Sequence, residues 1–258
     1  MTELSKRIIT AIIGIIILGI ALYFGGIFLN LLFFIISSIV VVELYNAFLK
    51  LNIKLQILQI FISTLFLYLL LWLRVDVSFS ILLMVSIGLL KTIFDDSTNL
   101  TDFSYSLFAF IYGSYLISLI LKLQRTPYIY LIFIIAFSTD TFAYLVGMNF
   151  GKHRLIERIS PKKSVEGAIG GVLGALLVSL IYFKYTSIDI DIYSILFVII
   201  SSIVGQIGDL AASKIKRLAG VKDYSNILPG HGGMLDRFDS TIMITPLVYG
   251  LFYINSLF

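Results

Sequence analysis

The chain has 258 residues, of which 59% are hydrophobic and 13% are charged, and its formal net charge is +4. Soluble globular domains average roughly 25% charged residues, so this composition excludes an ordinary water-soluble domain and predicts an integral membrane protein. The sequence contains no cysteine, which excludes disulfides, thiolate metal sites and a cysteine nucleophile. Membrane lipids are the expected surroundings, and we expect no nucleic-acid partner.

Nine apolar stretches approach the roughly 20 residues that a transmembrane helix requires. They lie at residues 8–24, 28–49, 55–73, 77–94, 103–123, 128–149, 167–185, 191–212 and 239–257. The first exceeds the roughly 7–15 apolar residues of a signal peptide, so it is predicted to span the membrane rather than to be cleaved. The predicted fold class is an all-α polytopic membrane protein with about nine transmembrane helices.

Basic residues are distributed unequally between the two sides that nine spans would create. Fifteen of the 19 Lys and Arg residues fall on the side of the N-terminus and of two long connections, residues 150–166 and 213–238. Lys and Arg concentrate in cytoplasmic loops, so these parts are predicted to be cytoplasmic and the C-terminus external. We predict one domain, residues 1–258, in the cell (inner or plasma) membrane. Residues 1–125 are mainly scaffold, and residues 126–258 are the catalytic half, whose active site faces the cytoplasm.

Carboxylates, cations and glycines are concentrated between Gly205 and Ser240, beside two apolar runs. A bound polyphosphate must be met by Lys and Arg, by backbone N–H groups and by a cation held on carboxylates. Mg²⁺ suits that task because it uses one or two carboxylates together with substrate phosphate and water. If a helix begins at Leu235, Asp236 and Asp239 share one of its faces, and its first N–H groups are free to meet a phosphate.

The same stretch resembles the signature of the phosphatidate cytidylyltransferase family, also called CDP-diacylglycerol synthases. The residues that carry the resemblance are Ser213, Ile215, Lys216, Arg217, Lys222, Asp223, Ser225, Leu228, Pro229, His231, Gly232, Gly233, Met234, Asp236, Arg237, Phe238 and Asp239. A second family feature is matched by Asp140, Ala143, Tyr144, Gly151, Lys152 and the run from Ser160 to Gly167. The resemblance covers essentially the whole chain.

The resemblance implies that CTP and phosphatidate react to give CDP-diacylglycerol and pyrophosphate in phospholipid biosynthesis, with the lipid phosphate attacking the α-phosphorus of CTP. The catalytic residues it implies are Asp209, Lys216, Arg217, Lys222, Asp223, His231, Asp236, Arg237 and Asp239. The substrate-binding residues are Asp140, Lys152, Ser160, Lys162, Lys163, Ser164, Ser213, Gly232 and Gly233. The predicted metal is Mg²⁺, with a second cation as a further candidate, and its ligands are Asp209, Asp223, Asp236 and Asp239. A second copy of the chain is a candidate partner.

Ionisable residues inside the apolar stretches are costly unless they face protein or water. Glu43 and Lys91 lie near the ends of their stretches, so snorkelling or an ion pair explains them as well as a functional role does. Asp140 is deeper, and we expect it to line a polar cavity or support the metal site, against a structural hydrogen bond to a neighbouring helix. His231 is expected to contact nucleotide or phosphate, against a hydrogen bond to the backbone.

The connection before the seventh span carries signals of local structure. Ser164 is a predicted N-cap of the following helix, with Glu166 in its first turn. The basic residues around them indicate a phosphate-contacting loop, although a general cytoplasmic excess of positive charge would also produce them. Gly167 and Gly171 form a G-x-x-x-G pair, which is typical of closely packed membrane helices.

Two other functions are weighed against cytidylyl transfer. A CTP-dependent lipid-alcohol kinase would move the γ-phosphate to a hydroxyl, but such an enzyme lacks the complete signature. A membrane transporter could use Glu43, Lys91 and Asp140 along a pathway. It would be favoured by inverted repeats, and none is evident in the sequence.

Overall fold

The apolar stretches of the sequence are helices in the computed structural model, which describes residues 3–256 and is 76% helical. The chain forms two units. The first comprises Met1–Gln124 and Ile215–Arg237, and the second comprises Arg125–Lys214 and Phe238–Phe258. The prediction of a single domain with a scaffold half and a catalytic half stays a prediction.

Helix α2 contributes ten buried residues to the first unit, including several that carry its core. Its helices are α1 Glu3–Phe24, α2 Gly26–Leu49, α3 Ile57–Leu73, α4 Ser78–Phe94 and α5 Leu100–Phe110, followed by a π-helical turn Ile111–Tyr115, the short helix α6 Leu116–Ser118 and a 3-10 turn Leu119–Leu123. Phe33, Val40 and Leu44 of α2 have no exposed surface. Gly113 lies against this face, and a Cβ atom there would be 3.2 Å from Val40 and 3.4 Å from Leu44.

The second unit contains the other long helices and a small antiparallel sheet. Its elements are α7 Tyr128–Phe150, β1 Arg154–Ile156, β2 Ser160–Ser164, α8 Val165–Phe183, most of α9 Ile192–Leu218 and most of α10 Leu235–Asn255. β1 and β2 pair through Arg154 with Ser164 and through Ile156 with Ser160. At the start of α9, Asp191 accepts a hydrogen bond from the Ser194 backbone N–H at 2.7 Å.

Helices α7 and α8 pack closely because glycines line their contact. A Cβ atom at Gly167 would lie 2.7 Å from the carbonyl oxygen of Ala143, and one at Gly171 would lie 2.9 Å from that of Thr139. Both distances are shorter than a side chain tolerates, so only glycine allows the two backbones to approach this far. The prediction that this glycine pair serves helix packing is confirmed.

The helices fit the predicted class of an all-α membrane protein. Among residues 3–256, six helices are long and apolar enough to cross a membrane. They are Arg7–Phe24, Gly26–Leu49, Leu100–Leu123, Tyr128–Phe150, Val165–Phe183 and Ile192–Leu218, and two shorter apolar helices are Ile57–Leu73 and Ser78–Phe94. Each predicted span overlaps a helical segment, and residue 257, the predicted end of the last span, lies outside the described residues. The hairpin of β1 and β2 was not expected.

Candidate active site

A cavity of about 510 Å³, lined in part by charged side chains, lies in the second unit between the hairpin and helices α7, α8 and α9. Five predicted site residues line it: Asp140, Lys162, Lys163, Ser164 and Asp209. These residues come from three separate segments of the chain. The structure therefore brings together five of the predicted site residues that belong to this unit.

Lys163 and Asp209 form an ion pair inside this cavity. Their side chains are 30% and 27% exposed, so both are partly shielded from solvent yet reachable from the cavity. The Ser213 hydroxyl, one helical turn after Asp209 on α9, donates to the second carboxylate oxygen at 3.3 Å. Strand β2 supplies the lysine and α9 supplies the aspartate, so the pair also ties the hairpin to that helix.

The cavity carries more positive than negative charge. Arg154 of β1 lines it beside Lys162 and Lys163, against the carboxylates of Asp140 and Asp209. Cations and carboxylates around one cavity can hold phosphate groups directly and through a divalent cation. Sequence reasoning missed Arg154, whose only signal was its position in a basic loop.

Gln206 also lines the cavity and was likewise not anticipated from the sequence. Its side-chain amide donates to the Ala168 carbonyl of α8 at 3.2 Å. This bond joins α9 to α8 one turn before Asp209, so Gln206 helps to set where that carboxylate lies. A polar residue within an apolar helix was the available signal.

The start of α8 is fixed by two side chains. Ser164 accepts a hydrogen bond from the Gly167 backbone N–H at 3.1 Å, which confirms the predicted N-cap. Glu166 accepts from the backbone N–H groups of Lys152 and His153 at 3.1 and 3.2 Å and pairs with the His153 ring at 2.6 Å. These bonds join the end of α7 to the start of α8 and hold the base of the hairpin that carries Lys162 and Lys163.

The two other predicted site residues of this segment have mainly structural surroundings. The Lys152 side chain is exposed, and its backbone N–H is the group bound by Glu166. Ser160 pairs with Ile156 in the hairpin. Neither lines the cavity, and a direct contact with substrate stays a prediction for both.

In the first unit, Asp236 organises the segment that carries most of the signature. Its side chain is 3% exposed and forms an ion pair with Lys216 at 2.6 Å. Its other carboxylate oxygen accepts from the backbone N–H groups of Tyr224 and Gly233 at 3.0 and 2.9 Å. The Lys216 ammonium also lies 5.6 Å from the centre of the Tyr224 ring, which favours the cation.

Glu43 of α2 is a member of this site that sequence reasoning left undecided. The residue is 1% exposed. Its carboxylate accepts from the Ser225 hydroxyl at 2.5 Å and from the backbone N–H groups of Met234 and Leu235 at 2.8 and 2.7 Å. Neither snorkelling nor an ion pair explains Glu43: its partners among the described residues are neutral donors.

These contacts correct one expectation about the start of α10. The helix begins at Leu235, as assumed. However, the N–H groups of Gly233, Met234 and Leu235 are already bound by Asp236 and Glu43. The expectation that they are free to meet a phosphate is wrong, because two carboxylates of the protein occupy that position.

The glycines before α10 form a tight turn around His231. Gly230 and Gly232 have φ values of 76° and 83°, a left-handed conformation that favours glycine. The His231 backbone N–H donates to the Leu228 carbonyl at 2.8 Å. Its ring Nδ1 is buried and has no hydrogen-bond partner within residues 3–256. A contact between this ring and a nucleotide or phosphate stays a prediction.

The remaining charged residues of the signature lie at the surface of the first unit. Lys222, Asp223, Arg217 and Arg237 are exposed. In the second unit, Asp239 is 7% exposed and accepts from the Ser240 backbone N–H at 2.7 Å. Within neither unit, across the described residues, do three or more His, Asp or Glu side chains gather in one place.

The sequence of this chain is similar to those of known proteins over nearly its whole length. The model of the cytidylyltransferase family matches residues 5–255. A phosphatidate cytidylyltransferase of Staphylococcus epidermidis is 35% identical over 256 residues, which cover 95% of this chain and 97% of the relative. Phosphatidate cytidylyltransferases of Staphylococcus haemolyticus and Bacillus subtilis are 48% and 46% identical over 122 and 125 residues, 47% and 48% of this chain and 47% and 46% of theirs.

Proposed function

We propose a mechanism for this chain on the premise that it belongs to the cytidylyltransferase family. The chain has phosphatidate cytidylyltransferase activity and acts in phospholipid biosynthesis. Its substrates are CTP and phosphatidate, and its products are CDP-diacylglycerol and pyrophosphate. The observation that supports a direct role for its residues is the cavity in which Lys162 and Lys163 face Asp140 and Asp209.

The reaction exchanges one phosphorus–oxygen bond for another. A non-bridging oxygen of the lipid phosphate attacks the α-phosphorus of CTP, the bond to the β-phosphate breaks, and pyrophosphate leaves with the negative charge. The second pKa of a phosphate monoester is about 6, so the attacking oxygen is already deprotonated near neutral pH. No strong general base is therefore required, and catalysis consists mainly of positioning and charge stabilisation.

The basic residues of the cavity perform that charge stabilisation. Lys162, Lys163 and Arg154 bind phosphate oxygens, and Asp209 holds the Lys163 ammonium in place through their ion pair. Together they counter the negative charge that accumulates as the lipid phosphate approaches the triphosphate and as pyrophosphate departs. The basic and polar residues of the signature act in the same reaction: Lys216, Arg217, Lys222, His231, Arg237, Ser213, Gly232 and Gly233.

The predicted aspartate ligands suit a magnesium ion that takes part of its coordination shell from the substrate phosphates. Asp209 lines the cavity, and Asp236 uses three of about four acceptor positions on its carboxylate, which leaves one for a cation. Asp209, Asp223, Asp236 and Asp239 are the residues that would hold Mg²⁺. When bound, it would neutralise phosphate charge and polarise the α-phosphate.

The proposed orientation in the membrane rests on the unequal distribution of Lys and Arg. With nine spans, and with the N-terminus and both basic connections in the cytoplasm, Arg154, Lys163 and Lys216 would lie on the side where CTP is available. The acyl chains of phosphatidate remain in the bilayer, because withdrawing them costs about 0.8 kcal/mol per CH₂ group. The membrane is the cell membrane, and a second copy of the chain is the candidate partner within it.

The test uses purified protein in detergent with phosphatidate, Mg²⁺ and CTP labelled at either the α- or the γ-phosphate. Cytidylyl transfer carries the α-label into lipid and the γ-label into pyrophosphate. A lipid-alcohol kinase would instead carry the γ-label into lipid and release CDP. A transporter would leave CTP intact. Label from the γ-phosphate in lipid, or no lipid product at all, would refute the proposed reaction.

A further inference from the structure

Glu43 lies in the apolar sequence Phe34 to Leu49 and is nevertheless almost completely buried, with 1% exposure. A buried carboxylate is costly unless hydrogen bonds replace its hydration. Here, three donors within 2.5–2.8 Å supply that replacement. All three belong to the signature segment, which follows Glu43 by more than 180 residues in the chain. The hydrogen bonds of Glu43 therefore connect α2 to that segment.

The turn before α10 leaves room for the Glu43 carboxylate. Gly233 lies directly against the carboxylate, and a Cβ atom at this position would be 2.5 Å from Glu43 Oε1 and 2.9 Å from its Cδ. Any other residue at position 233 would displace the carboxylate or the turn. The second glycine of the Gly232-Gly233 pair is therefore explained by room for Glu43, since its φ lies outside the left-handed region.

Glu43 and Asp236 divide the donors of one segment between them. Asp236 binds the N–H groups of Tyr224 and Gly233, and Glu43 binds the Ser225 hydroxyl and the N–H groups of Met234 and Leu235. Each carboxylate thus joins the loop near residue 224 to the start of α10. The loop that carries Lys222 and Asp223 is therefore held directly after these two residues and again at the start of α10. Helix α2 is the element against which Glu43 fixes it.

We propose that Glu43 is a positioning residue for cytidylyl transfer, which sets the loop of Lys222 and Asp223 and the first turn of α10 in the geometry that the reaction requires. The proposal rests on the proposed function. Glu43 touches no reacting group itself: its carboxylate is enclosed by Ser225, Met234 and Leu235. It acts by fixing the backbone of Met234 and Leu235. These residues directly precede Asp236 and so set the position of its ion pair with Lys216.

The test measures kcat and KM for CTP and for phosphatidate, together with the melting midpoint in detergent, for Glu43→Gln and Ser225→Ala. An amide at position 43 must present its NH₂ group to at least one donor, so part of the segment is released. We expect kcat to fall roughly 10–100-fold, the effect of a displacement of about 1 Å, while KM for phosphatidate stays near its original value. Ser225→Ala removes one of three bonds, and we expect a smaller loss of kcat in the same direction.

Ser37→Ala is the matched control, because Ser37 is a buried hydroxyl on the same helix whose 2.7 Å hydrogen bond goes to Tyr68, away from the signature. It reports the loss of activity that destabilising α2 alone produces. If Glu43→Gln and Ser37→Ala lowered kcat in the same proportion to their melting midpoints, the role of Glu43 would be structural only.

Ser225→Ala keeps the inference open to refutation even if Glu43→Gln does not fold, because it removes one bond and leaves the carboxylate in place; an unchanged kcat in this variant would overturn the proposal. In a double-mutant cycle, Ser225→Ala should lower kcat in the original chain and cost less than about twofold when Glu43 is already alanine, because the bond between them is gone. Additive effects would overturn the proposal, as would a folded Glu43→Gln protein with unchanged kcat. An original chain that makes no lipid-linked cytidine refutes the reaction instead, so the two failures are distinguishable.

Discussion

Gly167 lies at a narrow point between α7 and α8, and replacing it by alanine tests whether this packing shapes the cavity. The added Cβ atom would lie 2.7 Å from the Ala143 carbonyl oxygen, 3.0 Å from Ser164 Oγ and 3.1 Å from Gly147 Cα. Ordinary contact begins at 3.4 Å, so the carbonyl alone must retreat by about 0.7 Å. Two of these three atoms belong to backbone, so a rotamer change cannot relieve the clash.

We expect Gly167→Ala to destabilise the protein by about 1–3 kcal/mol, the usual cost of overpacking a tightly packed interior. For a chain of this size, the melting midpoint should fall by roughly 2–4 °C per kcal/mol. Activity should fall further than stability predicts, because Gly167, Gly147 and Ser164 all line the cavity. The assays are loss of the monodisperse peak in detergent with temperature, and initial rates of lipid-linked cytidine formation.

Gly19→Ala is the control for a glycine-to-alanine change inside an apolar helix. Nothing lies within 4 Å of a Cβ atom at Gly19, and alanine is favoured over glycine in a helix by about 1 kcal/mol. Its melting midpoint should stay or rise, with activity unchanged. A Gly167→Ala protein as stable and as active as Gly19→Ala would refute the argument that close packing of α7 and α8 defines the cavity.

Lys163→Met should raise KM for CTP roughly 10–100-fold, because a hydrogen bond to a charged group contributes about 1.5–3 kcal/mol, whereas Lys184→Met at the opposite end of α8 should change little. Chelation of divalent cations should abolish turnover and added Mg²⁺ should restore it, and persistent turnover in chelator would contradict a cation requirement. Single cysteines at the exposed positions 158 and 226 of this cysteine-free chain should be labelled only from the cytoplasm, and one at 256 only from outside. Labelling of 158 and 226 from opposite sides would rule out the nine-span topology.

The parts of the structure that the sequence predicted are those specified by local or periodic signals. Apolar stretches near the length of a membrane crossing became helices, the Ser164 cap follows from local chemistry, and the spacing of Gly167 and Gly171 marks a close helix contact. The hairpin was missed because Ser160 to Ser164 contains a proline and two lysines, a composition that indicates a loop rather than a strand.

Long-range partners carried no comparable signal. A carboxylate within an apolar helix showed that Glu43 needed a partner, but nothing near it in the sequence indicated Ser225 or the backbone of Met234 and Leu235. The same limitation applied to the start of α10, where a glycine-rich turn before a helix predicts exposed N–H groups. Such groups are free only if no side chain from elsewhere reaches them, and that depends on tertiary structure.

Two of the aspartates predicted to bind the metal, Asp209 and Asp236, differ in their exposure and in their hydrogen-bond partners, and substitutions can measure the consequence. Asp209 is 27% exposed, and its partners are the side chains of Lys163 and Ser213. Asp236 is 3% exposed and also binds the backbone of Tyr224 and Gly233. An asparagine keeps the shape of either residue but cannot accept at both side-chain positions.

Asp236→Asn should therefore lower the melting midpoint as well as the rate, because a buried N–H left without its acceptor costs about 1–3 kcal/mol. Asp209→Asn should lower the rate and weaken the Mg²⁺ dependence at a nearly unchanged melting midpoint. The measurement is a Mg²⁺ titration of initial rates beside thermal stability for both variants. If Asp209→Asn lost stability without any change in its Mg²⁺ titration, that carboxylate would hold Lys163 and the hairpin in place and would not bind the metal.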